Sequence, residues 1–378
     1  MLILGILIGL IVLVLLVTVH ELGHAIVARR NGVVVEEFGI GFPPKAWGKK
    51  LKNGVLFTLN WLPLGGFVKL QGEHDAASGK GDYGAATFWQ KTKILLAGVA
   101  VNWILAVVLL MALAWTSGIP RIIPDQFSVA GDTTVISSPV MLGSLTKDYP
   151  AEKAGLKTGD TIISIANEKV SSTQAFVEAT KEHRGETVPV IYERDGKENT
   201  AKVALRDTDS ATFGAGLGQR EVIKSGWSAP VTAVATTAQF TWVTLQGLGD
   251  LVVNFFGGLF GQLSIDANTR ERASAQLGEA GASVAGPVGI LGVIFPAASE
   301  AGVSQLVFLA AVISLTLAVM NTLPIPALDG GRWFVTALYK VLKKPLTKEK
   351  EEKIHGTGFI VLMLLIIVIT VADVIKFF

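Results

Sequence analysis

The sequence predicts a multi-pass α-helical membrane protein of about four transmembrane helices, with a membrane-associated β-hairpin and one inserted extracytoplasmic α+β domain. Three observations point there. Half of the 378 residues are hydrophobic and only 17% are charged, below the roughly 25% of soluble domains. The apolar residues are gathered into four blocks, each long enough for the ~30 Å hydrocarbon core of a bilayer. Between the second and third blocks the chain turns charged, with short strand-like runs such as VPVIYER (188–194) and AKVAL (201–205). Cysteine is absent, which excludes disulfides, iron–sulfur clusters and cysteine-bound zinc and leaves His, Asp and Glu for any metal. A net charge of +2 gives no reason to expect nucleic acid as a partner, whereas the lipid bilayer is one by composition.

The first block, 2–19, continues helically to about residue 28, so residues 1–28 form span one. It has no basic n-region and no A-x-A-like site, and it reads as a retained anchor rather than a cleaved signal. Residues 29–93 carry ten Lys and Arg, which predicts a cytoplasmic segment. Within it GVLFTLNWLPLGGFVKL (54–70) is apolar and β-prone, with Leu62-Pro63-Leu64-Gly65-Gly66 as a turn between two runs. That pattern predicts a hairpin whose edge can accept an extended peptide by strand addition. Span two is 94–117, followed by an outward domain over 118–219 with its core at about 126–219. Residues 220–304 read as an extracytoplasmic amphipathic or linker region. Its apolar stretch 229–263 lies on the interface or packs under the domain; as a fifth span it would need a sixth near 284–298. Span three, 305–323 within the segment 305–328, leads to Asp329. Residues 329–356 carry seven Lys and Arg and read as cytoplasmic, and 357–378 is span four. The N-terminus, residues 118–304 and the C-terminus then face outward.

At the cytoplasmic end of span one lies His20-Glu21-x-x-His24. On a helix, side chains at i and i+4 share a face about 5–6 Å apart, so two imidazoles can grip one zinc. Glu21 points about 100° away from His20, which suits a base acting on water rather than a ligand. A catalytic zinc takes three protein ligands and keeps one position open. Asp329, at the cytoplasmic end of span three, is the candidate third ligand because topology puts it at the depth of His20 and His24. The competing reading makes it an N-cap for a helix beginning near Gly330. His74, His183 and His355 are expected to be solvated.

The pair His20-Glu21-Leu22-Gly23-His24 and Asn321-x-x-Pro324-x-Pro326-x-Leu328-Asp329-Gly330 resembles the site-2 protease family of intramembrane zinc metalloproteases. The similarity is greatest to the bacterial regulator-of-sigma-E protease type, whose recurrent stretches also match GGFVKLQGE (65–73) and GPVGI (286–290). The resemblance implies one zinc held by His20, His24 and Asp329, with Glu21 activating water. It implies that Asn321 clamps the substrate backbone, and that Gly65, Gly66, Phe67 and Val68 belong to a membrane-reentrant hairpin beside the site. It further implies a place in the bacterial cytoplasmic membrane, the active site toward the cytoplasm. The substrates implied are single-pass membrane proteins of the anti-sigma-factor type or remnant signal peptides. Asn102 departs from the family context, which often has Gly-Pro where this chain has Gly98-Val99; its amide can serve as an interhelical hydrogen bond. DYPAEKAGLKTGDTIISIANEKV (148–170) resembles a circularly permuted bacterial PDZ domain, with a strand at Thr161–Ile165 and a helix from about Ser172 to His183. Such a domain implies a groove for an extended peptide or C-terminus, with FGAGLG (213–218) as a carboxylate nest or a linker. Only one such domain fits here, against two in the best-known sigma-E-type enzymes. The rival reading is a catalytically inactive, membrane-anchored PDZ adaptor.

Overall fold

The computed structural model describes residues 2–208 and 211–377. Met1, Asp209, Ser210 and Phe378, assigned above to the first span, the outward domain and the last span, lie outside the described residues, as does the Leu64 side chain. In chain order the elements begin with α1 (Leu2–Arg30), β1 (Val35–Lys50), β2 (Leu56–Leu70), α2 (Phe88–Leu95) and α3 (Ala97–Trp115). There follow β3 (Ile119–Pro120), β4 (Thr134–Ser137), β5 (Val140–Leu145), α4 (Pro150–Lys153), β6 (Thr161–Ile165), β7 (Glu168–Lys169) and α5 (Thr173–Glu182). Next come β8 (Thr187–Arg194), β9 (Lys197–Ala204), β10 (Ala215–Gly218) and β11 (Glu221–Lys224). The chain ends with α6 (Ala229–Gly261), α7 (Ala267–Ser283), α8 (Pro287–Gly289), a π-helical turn at Ile290–Ile294, α9 (Phe295–Glu300), α10 (Val303–Thr322), α11 (Asp329–Val341) and α12 (Lys348–Phe377). Two compact units emerge, one of residues 1–113 with 229–378 and one of residues 114–228.

Among the described residues five helices are long and apolar enough to cross a membrane: Leu2–Arg30, Phe88–Trp115, Ala229–Gly261, Val303–Thr322 and Lys348–Phe377. The bent pair Ala267–Ser283 and Pro287–Glu300, angled at 45°, is a sixth by the same measure. The stretch 229–263 and this bent segment are thus candidates to cross beside the four expected spans. The stretch read as an interfacial linker is one uninterrupted helix of 33 residues. Its glycines cost roughly 1 kcal/mol each, but several are packing positions: a Cβ on Gly258 would lie 2.6 Å from Leu277 of α7. Large apolar side chains such as Trp242, Val253 and Phe260 of α6 and Ile360 and Val368 of α12 face outward, as a lipid solvent requires. The last helix begins at Lys348, well before the expected 357, because the KEKEEK run continues into the apolar block without a breaker.

Small residues let the helices meet closely. Gly5 and Gly9 of α1 face Pro296 and Phe295 of α9, and Gly23 faces Ala97 and Val101 of α3. The GPVGI stretch folds against α12, where the buried Asp373 carboxylate accepts the Gly289 N–H at 2.7 Å. A capping box opens α2: Gln90 N–H donates to Thr87 Oγ1 and Thr87 N–H to Gln90 Oε1.

The expected 54–70 hairpin is a different object. Its two runs do not pair with each other: residue 38 faces both Val68 and Phe57, and residue 40 faces both Gly66 and Leu59. The run 35–40 is inserted between them, and 45–50 pairs with 56–60 on the far side. VEEFGIGF (35–42) is itself β-prone, and alternation cannot say which of several such runs will be neighbours. The consequence is that 66–70 forms an edge of this small sheet.

The second unit is built on the strand order β10-β5-β6-β8-β9, with β7 on β6. Val140, Leu142, Ile162, Ile165, Val190 and Val203 fill its core with Phe176 of α5, whose ring meets Phe213 edge-on at 4.8 Å. Ser172 caps α5 by accepting the Ala175 N–H, and the helix ends at His183, as expected. The unit outruns the expected 118–219 because β11 pairs with both β3 and β4.

Asp160 is 1% exposed and takes two 2.7 Å bonds from Arg194 and a third from the Lys157 N–H. Burial pushes its carboxyl up, but Arg194 and Lys157 outweigh that and hold it below the ordinary carboxylate range. Its contribution to stability is therefore full above the unfolded pKa of about 4 and is lost as pH falls through the lower folded value. Asp160→Asn should speed hydrogen exchange across β6 and β8 at pH 7, with the gap from the parent protein closing as the pH drops below about 4.

Candidate metal centre

The last turns of α1 place His20 and His24 on one face, 7% and 6% exposed. They point at the carboxylate of Asp329. His20 Nε2 lies 3.0 Å from Asp329 Oδ2 and 3.1 Å from His24 Nε2, and the third side of the triangle is 3.2 Å. A tetrahedral zinc with bonds of about 2.0–2.1 Å holds its ligand atoms about 3.3 Å apart. The triangle is therefore close to one face of a zinc tetrahedron. Among the described residues this is the one group of three or more His, Asp or Glu donors able to hold a metal ion.

Two further features favour a metal here over a simple ion pair. His24 Nδ1 donates to the Ile94 carbonyl at 2.7 Å, which leaves the Nε2 lone pair free for a metal. Gly98 of α3 faces the triangle directly: a Cβ there would lie 2.5 Å from His24 Nε2 and 2.6 Å from His20 Nε2. Only glycine keeps that cradle open. The donor set is nitrogen and carboxylate oxygen, which zinc accepts.

Asp329 does not cap its helix. Leu328 occupies the N-cap position without a side-chain bond, and Asp329 is the first residue of α11. Pro324 and Pro326 end α10 and tighten the loop, so that a Cβ on Gly331 would sit 1.9 Å from the Ile325 carbonyl oxygen. One turn further on, Arg332 pins α11 to the loop before α2. Its guanidinium bonds the Glu73 carboxylate at 2.8 Å and the Glu73 carbonyl, and it lies 4.6 Å over the Tyr83 ring. Burial lowers the pKa of Arg332, but Tyr83, Glu73 and Glu351 outweigh it and hold the value above that of an ordinary arginine.

Glu21 stands beside the triangle and outside it. Its Oε2 accepts the Val68 N–H at 3.1 Å, while Gly66 passes with its Cβ position 3.8 Å from Glu21 Cγ. Gly65 faces Val17 of the same helix. Glu21, His24, Phe67, Val68 and Asp329 all line a cavity of about 850 Å³. Glu21, Gly66, Phe67 and Val68 are thus together as expected, and the Asn321 amide donates to the Leu317 carbonyl of its own helix at 2.9 Å.

His74 and His183 are partly exposed and face Glu352 and Glu186. His355 departs from its expected solvation. It lies in α12, lines the same cavity, and its Nε2 is buried without a partner among the described residues. Nothing in its polar sequence context signals this, because α12 begins earlier than hydropathy suggests. The roles of Gly98 and the Ile94 carbonyl have no sequence signal either, since both depend on how closely α2 and α3 approach α1.

Comparison with known proteins agrees with this chemistry. Residues 8–365 match the family "Peptidase family M50". The chain is 29% identical to the regulator of sigma-W protease RasP of Bacillus subtilis, covering 96% of each chain. It is 28% identical to the zinc metalloprotease RasP of Geobacillus kaustophilus, again over 96% of each. Over 22% of its length it is also similar to the PDZ domain of an SdrC-like protein from Listeria innocua, at 28% identity and a TM-score of 0.19. A family match that runs from residue 8 to residue 365, through both sides of the donor triangle, makes the chain a member of peptidase family M50, the site-2 proteases, and a zinc metalloprotease of the membrane.

Proposed function

We propose that His20, His24 and Asp329 hold the single zinc, that Glu21 is the general base, and that the substrate is the transmembrane segment of a single-pass protein or a remnant signal peptide. The observation that carries this reading is the donor triangle with Glu21 beside it, tied to the edge strand at Val68. When bound, zinc polarises the scissile carbonyl and lowers the pKa of the attacking water. Glu21 Oε2 takes the proton from that water and delivers it to the leaving amine. Val68 N–H and α1 fix the carboxylate during both transfers.

A substrate helix hides its peptide bonds in its own hydrogen-bond ladder, and amides freed in lipid need new partners. The edge at 66–70 supplies them by strand addition, and Gly65, Gly66, Phe67 and Val68 line that approach. Asn321 is the remaining candidate for holding the substrate backbone, after release of its bond to Leu317. The unit at 114–228 acts as a PDZ module. A peptide end adds to the free edge of β10 and so docks or filters substrates that another protease has trimmed.

The chain belongs in the bacterial cytoplasmic membrane with the metal site toward the cytoplasm and the PDZ module outside. Because His24 and Asp329 share one site, the crossings between them are even in number. α6 and the bent α7–α9 segment therefore both cross or both stay at one interface. An inactive adaptor has no use for a complete donor set with a base beside it.

The test is a labelled single-span substrate reconstituted with the protein in vesicles. Cleavage should map inside the apolar segment, stop with a chelator and return with zinc, and Asp329→Asn should hold well below one zinc per chain. Cleavage insensitive to the chelator would overturn the reading.

A further inference from the structure

We propose that Asn102 is a positioning residue for the zinc ligand His20, its side-chain oxygen accepting the His20 Nδ1–H and so holding the ring with Nε2 free for the metal. The inference rests on His20 being a ligand. A histidine that binds through Nε2 must carry its proton on Nδ1, and that proton needs an acceptor. His24 has one in the Ile94 carbonyl. For His20 the facing group is the Asn102 amide, whose Nδ2 lies 3.4 Å from His20 Nδ1.

Asn102 is 0% exposed, in the middle of α3, with its backbone carbonyl held by the Ser314 hydroxyl of α10 at 2.9 Å. Its Oδ1 is buried and has no partner among the described residues. An unpartnered oxygen on one side of an amide, and a ring nitrogen needing an acceptor on the other, have one common resolution. The two ends of an amide have the same shape, so rotating it by half a turn brings Oδ1 to His20 Nδ1. With the amide as it stands, Nδ2 donates to Nδ1, the ring proton goes to Nε2, and the metal position is blocked. Gly98, one turn earlier on the same helix, keeps that position open. α3 thus serves the site twice, with clearance at 98 and an acceptor at 102.

The experiment measures zinc affinity by competition with a chromophoric chelator on the full-length protein in detergent. Asn102→Leu keeps the volume and removes the amide; it should weaken zinc binding by about 10–100-fold. Asn102→Asp restores an acceptor and should bind zinc within about threefold of the parent protein, whereas a merely structural role would leave it as impaired as the leucine variant. With labelled histidines, ¹⁵N spectra of the zinc-loaded parent should show the His20 proton on Nδ1. Unchanged affinity in Asn102→Leu, with His20→Ala losing zinc, overturns the role of Asn102 alone. Unchanged affinity in His20→Ala overturns the ligand assignment beneath it.

Discussion

Replacing Gly98 by alanine is expected to strip the protein of zinc while leaving its helices formed. The added methyl would sit 2.5 Å from His24 Nε2 and 2.6 Å from His20 Nε2, inside the space the metal needs. No rotamer relieves it, because a methyl has none. α3 lies close on α1 here, and a Cβ on Gly23 would come within 2.9 Å of the Ala97 carbonyl oxygen, so a retreat of α3 gives up this packing. Either the helices part, at a cost of about 1–3 kcal/mol for overpacking, or the two imidazoles turn aside. Both outcomes break a triangle whose sides are 3.0, 3.1 and 3.2 Å. Zinc affinity should fall by at least about 100-fold, the upper end of what loss of a supporting contact costs. Metal analysis after desalting, with circular dichroism on the same sample, reads both halves of the prediction. A variant with the parent's zinc content would mean that α3 stands further from α1 than the geometry requires.

The grouping of His20, His24 and Asp329 could be read from the chain because it is local in one place and constrained by depth in another. His20 and His24 follow from helical spacing alone, and Asp329 follows from a span that must end where the first one ends. In the second unit the strand at Thr161–Ile165 and the helix from about Ser172 to His183 were similarly legible, because both depend on neighbours in sequence. What could not be read depends on distant approach. The run 35–40 entering between 56–59 and 66–70 is a choice among β-prone runs that periodicity does not rank. Glu21 meeting Val68 follows from that choice, 47 residues away. Gly98 was visible only as a departure at its neighbour Val99, because its role exists only once α3 lies on α1. The stretch 229–263, readable as an interfacial segment or a fifth span, forms one helix of 33 residues, and hydropathy alone does not choose between the two.

Glu21→Gln is expected to lower peptide-bond cleavage by about 10²–10⁴-fold, the span general acid–base catalysis supplies, with zinc content unchanged. The argument turns on what glutamine keeps. Its carbonyl oxygen can still accept the Val68 N–H, its shape is the same, and Glu21 is outside the donor triangle. Only the proton-accepting carboxylate is gone. Asp329→Asn should fail differently, with zinc lost and cleavage lost together. A third variant separates the base from the strand that holds it. Val68→Pro removes the N–H that fixes Glu21 while retaining both the acid and the metal ligands. Cleavage should then fall by about 10-fold, because a mobile base samples the productive geometry less often. If Glu21→Gln cut at the parent's rate, the base would have to lie elsewhere. If it lost zinc, Glu21 would be a ligand and the triangle incomplete. A Val68→Pro protein as inactive as Glu21→Gln would mean that the edge strand does more than hold the base, and that substrate addition at 66–70 had been lost with it.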